Sequence, residues 1–192
     1  NCGVSLLHTE PEKTLLLCDY QLAIPGCSPF ERANALLLKS NALKAVSPPR
    51  QEEAGQCIRE AVAITEHERP RSSMDAEIYP HALIHLGEHL CHAEQDFEGA
   101  IDALTTVLDI YDTRYKFGEL PDRFVAARIL SQIGSAYCGI DQRTGGAEQK
   151  AQCLWFCNQS ISVYRKALEE HIRFRPASAE PIFLSAASVY HY

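Results

Sequence analysis

Four histidines and one glutamate lie close together near the middle of the chain: His81, His85, Glu88, His89 and His92. At about 100° per residue, an α-helix would bring the four imidazoles within about 80° of its circumference. His85 to His89 read H-x-x-E-H, a spacing at which two imidazoles can share a zinc ion while the glutamate acts as a general base. This stretch is therefore where residue types and spacing could support chemistry.

Three interpretations of the histidine stretch follow from the residues. The first is a metallohydrolase of the inverted H-x-x-E-H type, which we set aside because the motif is short and the chain lacks the strands such enzymes require. The second is a ligand- or metal-sensing module built on the ladder of imidazoles, which are common metal ligands. The third, which we favour, places these histidines on a surface or groove without special chemistry.

The rest of the sequence shows no pattern that predicts catalysis. It contains no G-x-S-x-G, no P-loop and no G-x-G-x-x-G. Cys153 and Cys157 lie one helical turn apart, but two soft ligands alone do not make a metal site. We therefore predict a protein that is not an enzyme, with no catalytic residue, no cofactor and no bound metal.

The elements that must position these residues read as helices, with no persuasive strand. Pro25-Gly26 predicts a helix stop, and Ser28 followed by Pro29 and Glu31 predicts a helix start with a capping box. Polar residues with glycines predict a loop over 139–146. We expect seven or eight helices, at roughly 10–24, 28–46, 50–67, a segment ending near 94, a segment capped by Asp96, 120–138, 147–171 and 178–192.

A small residue returns at a fixed interval along this helical pattern. Ser40, Gly87 and Gly134 are 47 residues apart in turn, and each follows a leucine by four positions. A period between about 20 and 50 residues is typical of stacked repeats. Small side chains at such positions let two helices of a pair approach closely, so we expect all three to lie at helix contacts.

The residues of these frames resemble the tetratricopeptide repeat. The copy that matches best carries Leu83, Leu86, Gly87 and Leu90 in its first helix, followed by Ala100, Leu104 and Val107 in its second. The resemblance implies an all-α solenoid, a right-handed superhelix of antiparallel helix pairs. The 47-residue spacing is longer than the family's 34-residue unit and resembles its longer-repeat members, which act as scaffolds and adaptors.

On this resemblance the chain is a single repeat domain over 1–192. It has a partial repeat at 1–27, repeats at about 28–72, 73–119 and 120–175, and a terminal helix at 178–192. The first segment looks like the second helix of a pair and the last like the first helix of another. We therefore expect the chain to be a fragment of a longer protein.

The resemblance also implies a concave groove that receives a partner. The groove positions carried over to this sequence are Asn34, Leu37, Asn41, Lys44, His81, Ile84, His85, Glu88, His92, Arg128, Ser131, Gln132 and Ser135. Asn41, Glu88, His92 and Arg128 are the expected polar anchors, and Leu37 and Ile84 the apolar contacts. Some members of the family bind the C-terminal carboxylate of chaperones through a clamp of five Lys, Asn and Arg side chains. Here Asn41 is the one identical clamp residue, and Arg128 is the one that replaces a clamp residue with the same charge. The sequence therefore does not predict binding of a chaperone tail.

The function that these residues favour is a scaffold or adaptor for protein–protein interaction. It would bind a peptide or partner helix in its groove, as a subunit of a larger complex. An alternative is a purely architectural segment whose partner covers an outer or end surface. This step from fold to function is analogy, because a fold alone does not fix a function.

Charge and composition narrow the partners and the compartment. Residues 52–122 carry a net charge of −11 and residues 123–175 one of +4, and the acidic middle argues against nucleic acid. No apolar stretch reaches the roughly 18–20 residues of a membrane span, and no secretory signal begins the chain. Most of the eight cysteines sit in apolar helical runs, so we expect reduced thiols in a cytoplasmic or nuclear protein.

Overall fold

A computed structural model describes residues 10–115 and 123–174 of the chain. Within these ranges the protein is all-helical and has no strand, as the sequence predicts. The chain divides into two compact units, Asn1–His89 and Leu90–Tyr192. The predicted terminal helix at 178–192 lies outside the described residues. The helices are α1 (Pro11–Leu22), α2 (Pro29–Ala45), α3 (Gln51–Glu66), α4 (Ser73–His89), a π-helical turn (Leu90–Glu94), α5 (Phe97–Tyr115), α6 (Arg123–Thr144) and α7 (Ala147–Phe174).

The predicted stop and start between α1 and α2 are confirmed. Gly26 adopts a φ of +84°, a left-handed conformation that glycine takes without strain. The Glu31 backbone N–H donates to Ser28 Oγ over 3.2 Å, and the Ser28 N–H donates to Glu31 Oε2 over 2.9 Å. Pro29 occupies the first helical turn, where its missing N–H costs nothing. The capping box therefore begins α2 as the sequence indicates.

The first unit is built from consecutive helices that pack on each other. Helix α1 contacts α2, α2 contacts α3, and α3 contacts α4, while α2 also contacts α4. The core between them is small and apolar, and each fully buried Leu or Ile contributes about 1.5–3 kcal/mol. Its central buried members are Ala33, Leu36, Leu37, Ile58, Ala61 and Ala82.

Helix α4 begins at Ser73 and runs through Pro80, which is buried inside it. The π-helical turn that follows was not predicted. After it, Gln95 adopts a φ of +56°, and Asp96 Oδ1 accepts a hydrogen bond of 3.0 Å from the Gly99 N–H. Asp96 is thus the N-cap of α5, as predicted.

The second unit contains a long antiparallel hairpin of α6 and α7. Only Gly145-Gly146 separates the two helices, and Gly145 has a φ of +66°. Three contacts fix the register: Ser160 Oγ donates to Ala127 O, Cys157 packs on Gly134, and Cys153 is bonded to Cys138. The prediction of a loop over 139–146 is wrong for residues 139–144, which continue α6 to Thr144. Contacts described below hold these residues helical.

The expectation that all the cysteines are reduced is wrong for one pair. Cys138 and Cys153 form a disulfide between α6 and α7, with Cα atoms 5.4 Å apart, a normal separation. The antiparallel register of the hairpin brings the two residues opposite each other, which helical period alone does not reveal. The free cysteines among the described residues are Cys18, Cys27, Cys57, Cys91 and Cys157.

The three small residues of the 47-residue interval are all buried, as the packing argument predicts. Ser40 is fully buried in α2, and Gly87 and Gly134 are buried in α4 and α6. A Cβ built on Gly134 would lie 2.8 Å from Cys157 Sγ, so a larger residue would force α6 and α7 apart. None of the helices in the described ranges has both the length and the apolar character needed to cross a membrane.

Candidate functional site: a half-buried polar cluster in the first unit

Four of the predicted groove residues come from two helices of the first unit that contact each other. Asn41 and Lys44 lie one turn apart near the end of α2, and His85 and Glu88 lie one turn apart in α4. All four side chains are half-buried. Positions three residues apart share a helix face, so each helix contributes one polar pair. We call these four residues the polar cluster.

The polar cluster holds charge in a partly desolvated place. His85 Nδ1 lies 3.8 Å from Glu88 Oε2, and the two side chains are 23% and 20% exposed. Burial lowers the pKa of Lys44, while the negative charge of Glu88 acts in the opposite direction. Charges at this depth interact more strongly than charges in bulk water, because the surrounding dielectric constant is lower.

This arrangement is suited to recognition. The Lys44 amine, the Asn41 amide and the His85 imidazole can donate hydrogen bonds. The Glu88 carboxylate can accept them. A backbone amide or a polar side chain of a partner would therefore find both donors and an acceptor in one place.

The other predicted groove residues of the first unit divide into exposed and buried. Asn34 in α2 and His81 in α4 are exposed. Leu37 and Ile84, the expected apolar contacts, are buried, and Leu37 belongs to the core cluster. In this conformation both side chains contribute packing, and the polar residues form the accessible surface.

In the second unit, the predicted groove residues share a stripe of α6. Arg128 is exposed, and Ser131, Gln132 and Ser135 are half-buried at three- and four-residue steps. This spacing places them on one helix face. His92 is exposed in the π-helical turn.

The histidine ladder is not presented as one surface. His89 is only 3% exposed, and its imidazole packs on Gly55 of α3, where a Cβ would overlap it. His81 and His92 are exposed, and His85 faces Glu88. Across residues 10–115 and 123–174, no three His, Cys, Asp or Glu side chains are grouped to hold a metal ion.

Two apolar surfaces have no counterpart in the predicted site. On α1, Leu16, Leu17 and Tyr20 are exposed, Tyr20 to 73%, and so is Ile24 in the turn that follows. On α7, Leu154 and Trp155 are exposed, Trp155 to 53% beside a shallow depression of about 350 Å³. The sequence could have indicated the exposed face of α1, because the apolar residues of this helix span a wider arc than one packing contact requires.

Comparison with protein-family models and with curated protein sequences finds no match to this chain. The tetratricopeptide resemblance therefore depends on the residues and spacing of the chain itself.

Proposed function

We propose that this protein is a protein–protein interaction scaffold, an α-solenoid of tetratricopeptide type that binds a peptide or partner helix. The observation that carries the proposal is the polar cluster. Charged side chains that are half-buried at a surface lose hydration, and a partner that supplies matching polar groups can compensate for that loss. Two packed first helices of the predicted repeats supply this cluster, which is where a groove of this architecture would lie.

The chemistry of the polar cluster favours a partner with polar groups of both kinds. Lys44 and His85 would meet acceptors, and Glu88 would meet a donor. An extended peptide offers both through its backbone, and a helix offers them through side chains on one face. Such hydrogen bonds to charged groups contribute about 1.5–3 kcal/mol each.

The proposed setting is a multiprotein complex inside the cell, without nucleic acid, membrane or cofactor. The five free thiols in the described ranges favour a reducing compartment, and the Cys138–Cys153 disulfide favours a more oxidising one. Fractionation followed by alkylation of the thiols measures both the compartment and the redox state.

The proposal is tested with two double variants that change charge in the same way. Lys44→Met with Glu88→Gln removes one cation and one anion from the polar cluster. Arg32→Met with Glu60→Gln removes the same charges from an exposed ion pair between α2 and α3, joined over 3.0 Å. Each tagged protein is expressed in cells, and quantitative mass spectrometry of the purified material identifies the proteins that remain attached.

We expect the polar-cluster variant to lose at least one partner of the wild type by about tenfold or more, which corresponds to about 1.4 kcal/mol. The matched control should retain it, because exposed ion pairs contribute little. Both variants must keep the helical circular dichroism of the wild type. Equal retention of every partner by the two variants would refute the polar cluster as the binding site.

A second candidate is the architectural segment, which the exposed apolar face of α1 favours. A partner inside a larger assembly would cover Leu16 and Tyr20, since burying exposed apolar area contributes about 25 cal/mol per Å². Leu16→Ser with Tyr20→Ser would then abolish partner retention, while the polar-cluster variant would leave it unchanged. The two candidates therefore predict opposite results in the same purification.

A further inference from the structure

A disulfide bond joins α6 and α7 near the tip of their hairpin. Cys138 is half-buried near the end of α6, and Cys153 is buried in the second turn of α7. The disulfide joins residues 15 apart in sequence. It therefore encloses the end of α6, the Gly145-Gly146 link and the start of α7.

The enclosed segment forms a helix weakly by itself. It begins with Gly139, which costs about 1 kcal/mol relative to alanine in a helix interior, and its residues 139–146 read as a loop in the sequence. The Phe97 ring covers Gly139, where a Cβ would overlap the ring.

Arg143 also holds the tip. Its guanidinium carbon lies 4.4 Å from the centre of the Phe97 ring, and its Nη2 donates to Gln95 Oε1 over 3.0 Å. These contacts join the tip to Gln95, which follows the π-helical turn, and to Phe97, the first residue of α5. Arg143 is exposed, and an exposed cation–π contact contributes only about 0.5–1 kcal/mol.

A third cysteine lies beside the disulfide without taking part in it. Cys157 follows Cys153 by one helical turn and packs on Gly134. Burial raises the pKa of the Cys157 thiol, which disfavours its thiolate form. Because the thiolate is the attacking species in thiol–disulfide exchange, Cys157 competes poorly for either partner.

We propose that the Cys138–Cys153 pair is a reversible redox clamp, which holds residues 139–152 against Phe97 and Gln95 when oxidised and releases them when reduced. This inference is independent of the proposed binding function. A low-molecular-weight thiol such as glutathione is the reductant. Its thiolate attacks the more accessible Cys138 sulfur, breaks the S–S bond and leaves the Cys153 thiolate, which takes up a proton.

A second glutathione thiolate then attacks the mixed disulfide at its glutathione sulfur. Cys138 leaves as a thiolate and is protonated, and oxidised glutathione is released. The net change is one protein disulfide and two thiols giving two protein thiols and one glutathione disulfide. The reverse reaction closes the clamp when oxidised glutathione predominates.

The wild-type chain is the material for the test. Purified protein is equilibrated in buffers of varied reduced and oxidised glutathione, alkylated, and mapped by mass spectrometry. Hydrogen exchange of peptides covering 139–152 is measured on the fully oxidised and fully reduced samples. Trp155, the single tryptophan, gives a parallel fluorescence signal, because it packs on Phe156 at 4.7 Å between ring centres.

We expect one bond, Cys138 to Cys153, and a hydrogen-exchange rate in 139–152 that rises by up to about a hundredfold on reduction, the effect of closing a loop of this length. Exchange in α2 and α3 should not change. Cys157→Ser should titrate like the wild type, and Cys138→Ser with Cys153→Ser should behave like reduced protein at every glutathione ratio.

Three results would overturn the clamp. The pair could stay unbonded at every glutathione ratio, the mapped bond could include Cys157, or exchange in 139–152 could be equal in the two redox states. Because the reduced wild type supplies the decisive measurement, failure of the double serine variant to fold would not affect the conclusion.

Discussion

Each of the two units contains a close helix contact at a glycine, and the two contacts differ in what meets the glycine. In the first unit, Gly55 of α3 faces the imidazole of His89. In the second, a Cβ added to Gly134 of α6 would lie 2.8 Å from Cys157 Sγ and 3.3 Å from the Cys157 backbone nitrogen. A side chain can rotate away from an added methyl group, whereas a backbone cannot move without its helix. The same residue type thus fills an adaptable role in one unit and a rigid role in the other.

The largest effect that would test this comparison comes from Gly134→Leu. The added side chain would meet backbone as well as sulfur, so we expect the free energy of unfolding to fall by about 3 kcal/mol. Urea unfolding followed by circular dichroism measures the change. Gln142→Leu, an exposed position on the same helix, is the control and should change stability by less than about 0.5 kcal/mol. A small loss at Gly134 would mean that the hairpin is not packed as described.

A double-mutant cycle sharpens the difference between the two glycines. Gly55→Ala alone should destabilise by about 1–2 kcal/mol, since overpacking exceeds the gain in helix propensity. With His89→Ala present, the same change should become neutral or favourable. Gly134→Ala should be only partly rescued by Cys157→Ala, because backbone atoms remain in the way. Equal rescue at both sites would contradict the distinction between adaptable and rigid contacts.

Two buried serines offer a smaller comparison. Ser160 Oγ donates across the hairpin to Ala127 O, and Ser40 Oγ donates to Leu37 O of its own helix, each over 2.8 Å. We expect Ser160→Ala to lower the free energy of unfolding by about 1 kcal/mol, as for a typical hydrogen bond. Ser40→Ala should be close to neutral. The hydrogen bond that it removes lies within α2 and adds little to the stability of that helix, and alanine has a higher helix propensity than serine. Thermal and urea unfolding of the two variants measure these changes. A larger loss for Ser40→Ala than for Ser160→Ala would contradict the contacts described.

The smallest effect concerns pH and the starts of helices. Helix α2 begins with a reciprocal box and α5 with Asp96 alone. Hydrogen bonds from Ser28 lower the pKa of Glu31. The bond from the Ser28 backbone N–H has the larger effect, and the bond from the Ser28 side chain has the smaller one. A carboxyl group with a lowered folded-state pKa stabilises the protein above its unfolded pKa, about 4.3, and this contribution is lost as the pH falls through the folded value.

Melting temperatures of the wild type and of Glu31→Gln from pH 7 to pH 2.5 check this sign. The variant should be less stable at pH 7, and the difference should shrink as the pH falls. Ser28→Ala, by contrast, should lower stability across the range, by about 1 kcal/mol. A difference in melting temperature between wild type and Glu31→Gln that grows as the pH falls would contradict the conclusion that ionised Glu31 stabilises the fold.

The helix starts and stops could be predicted from the sequence because their signals are local. Ser28 with Glu31, Asp96 before α5 and Gly26 after α1 each act within one turn of the chain. Burial of Ser40, Gly87 and Gly134 could be predicted as well, because small residues at a fixed interval are typical of close helix contacts. The four residues of the polar cluster were predicted through the resemblance to the repeat.

What the sequence left undetermined depends on residues far apart in the chain. The last turns of α6 are helical because Phe97 covers Gly139 and the Cys138–Cys153 bond closes the tip, although the local residues favour a loop. His89 belongs to the core because Gly55 lies opposite it, and no helical periodicity within α4 can reveal that partner. By itself the sequence determined the all-helical class, the helix boundaries set by caps, and the small residues at contacts. Only tertiary structure decided which side chains meet, because that depends on how separate helices pack, and local preferences do not specify it.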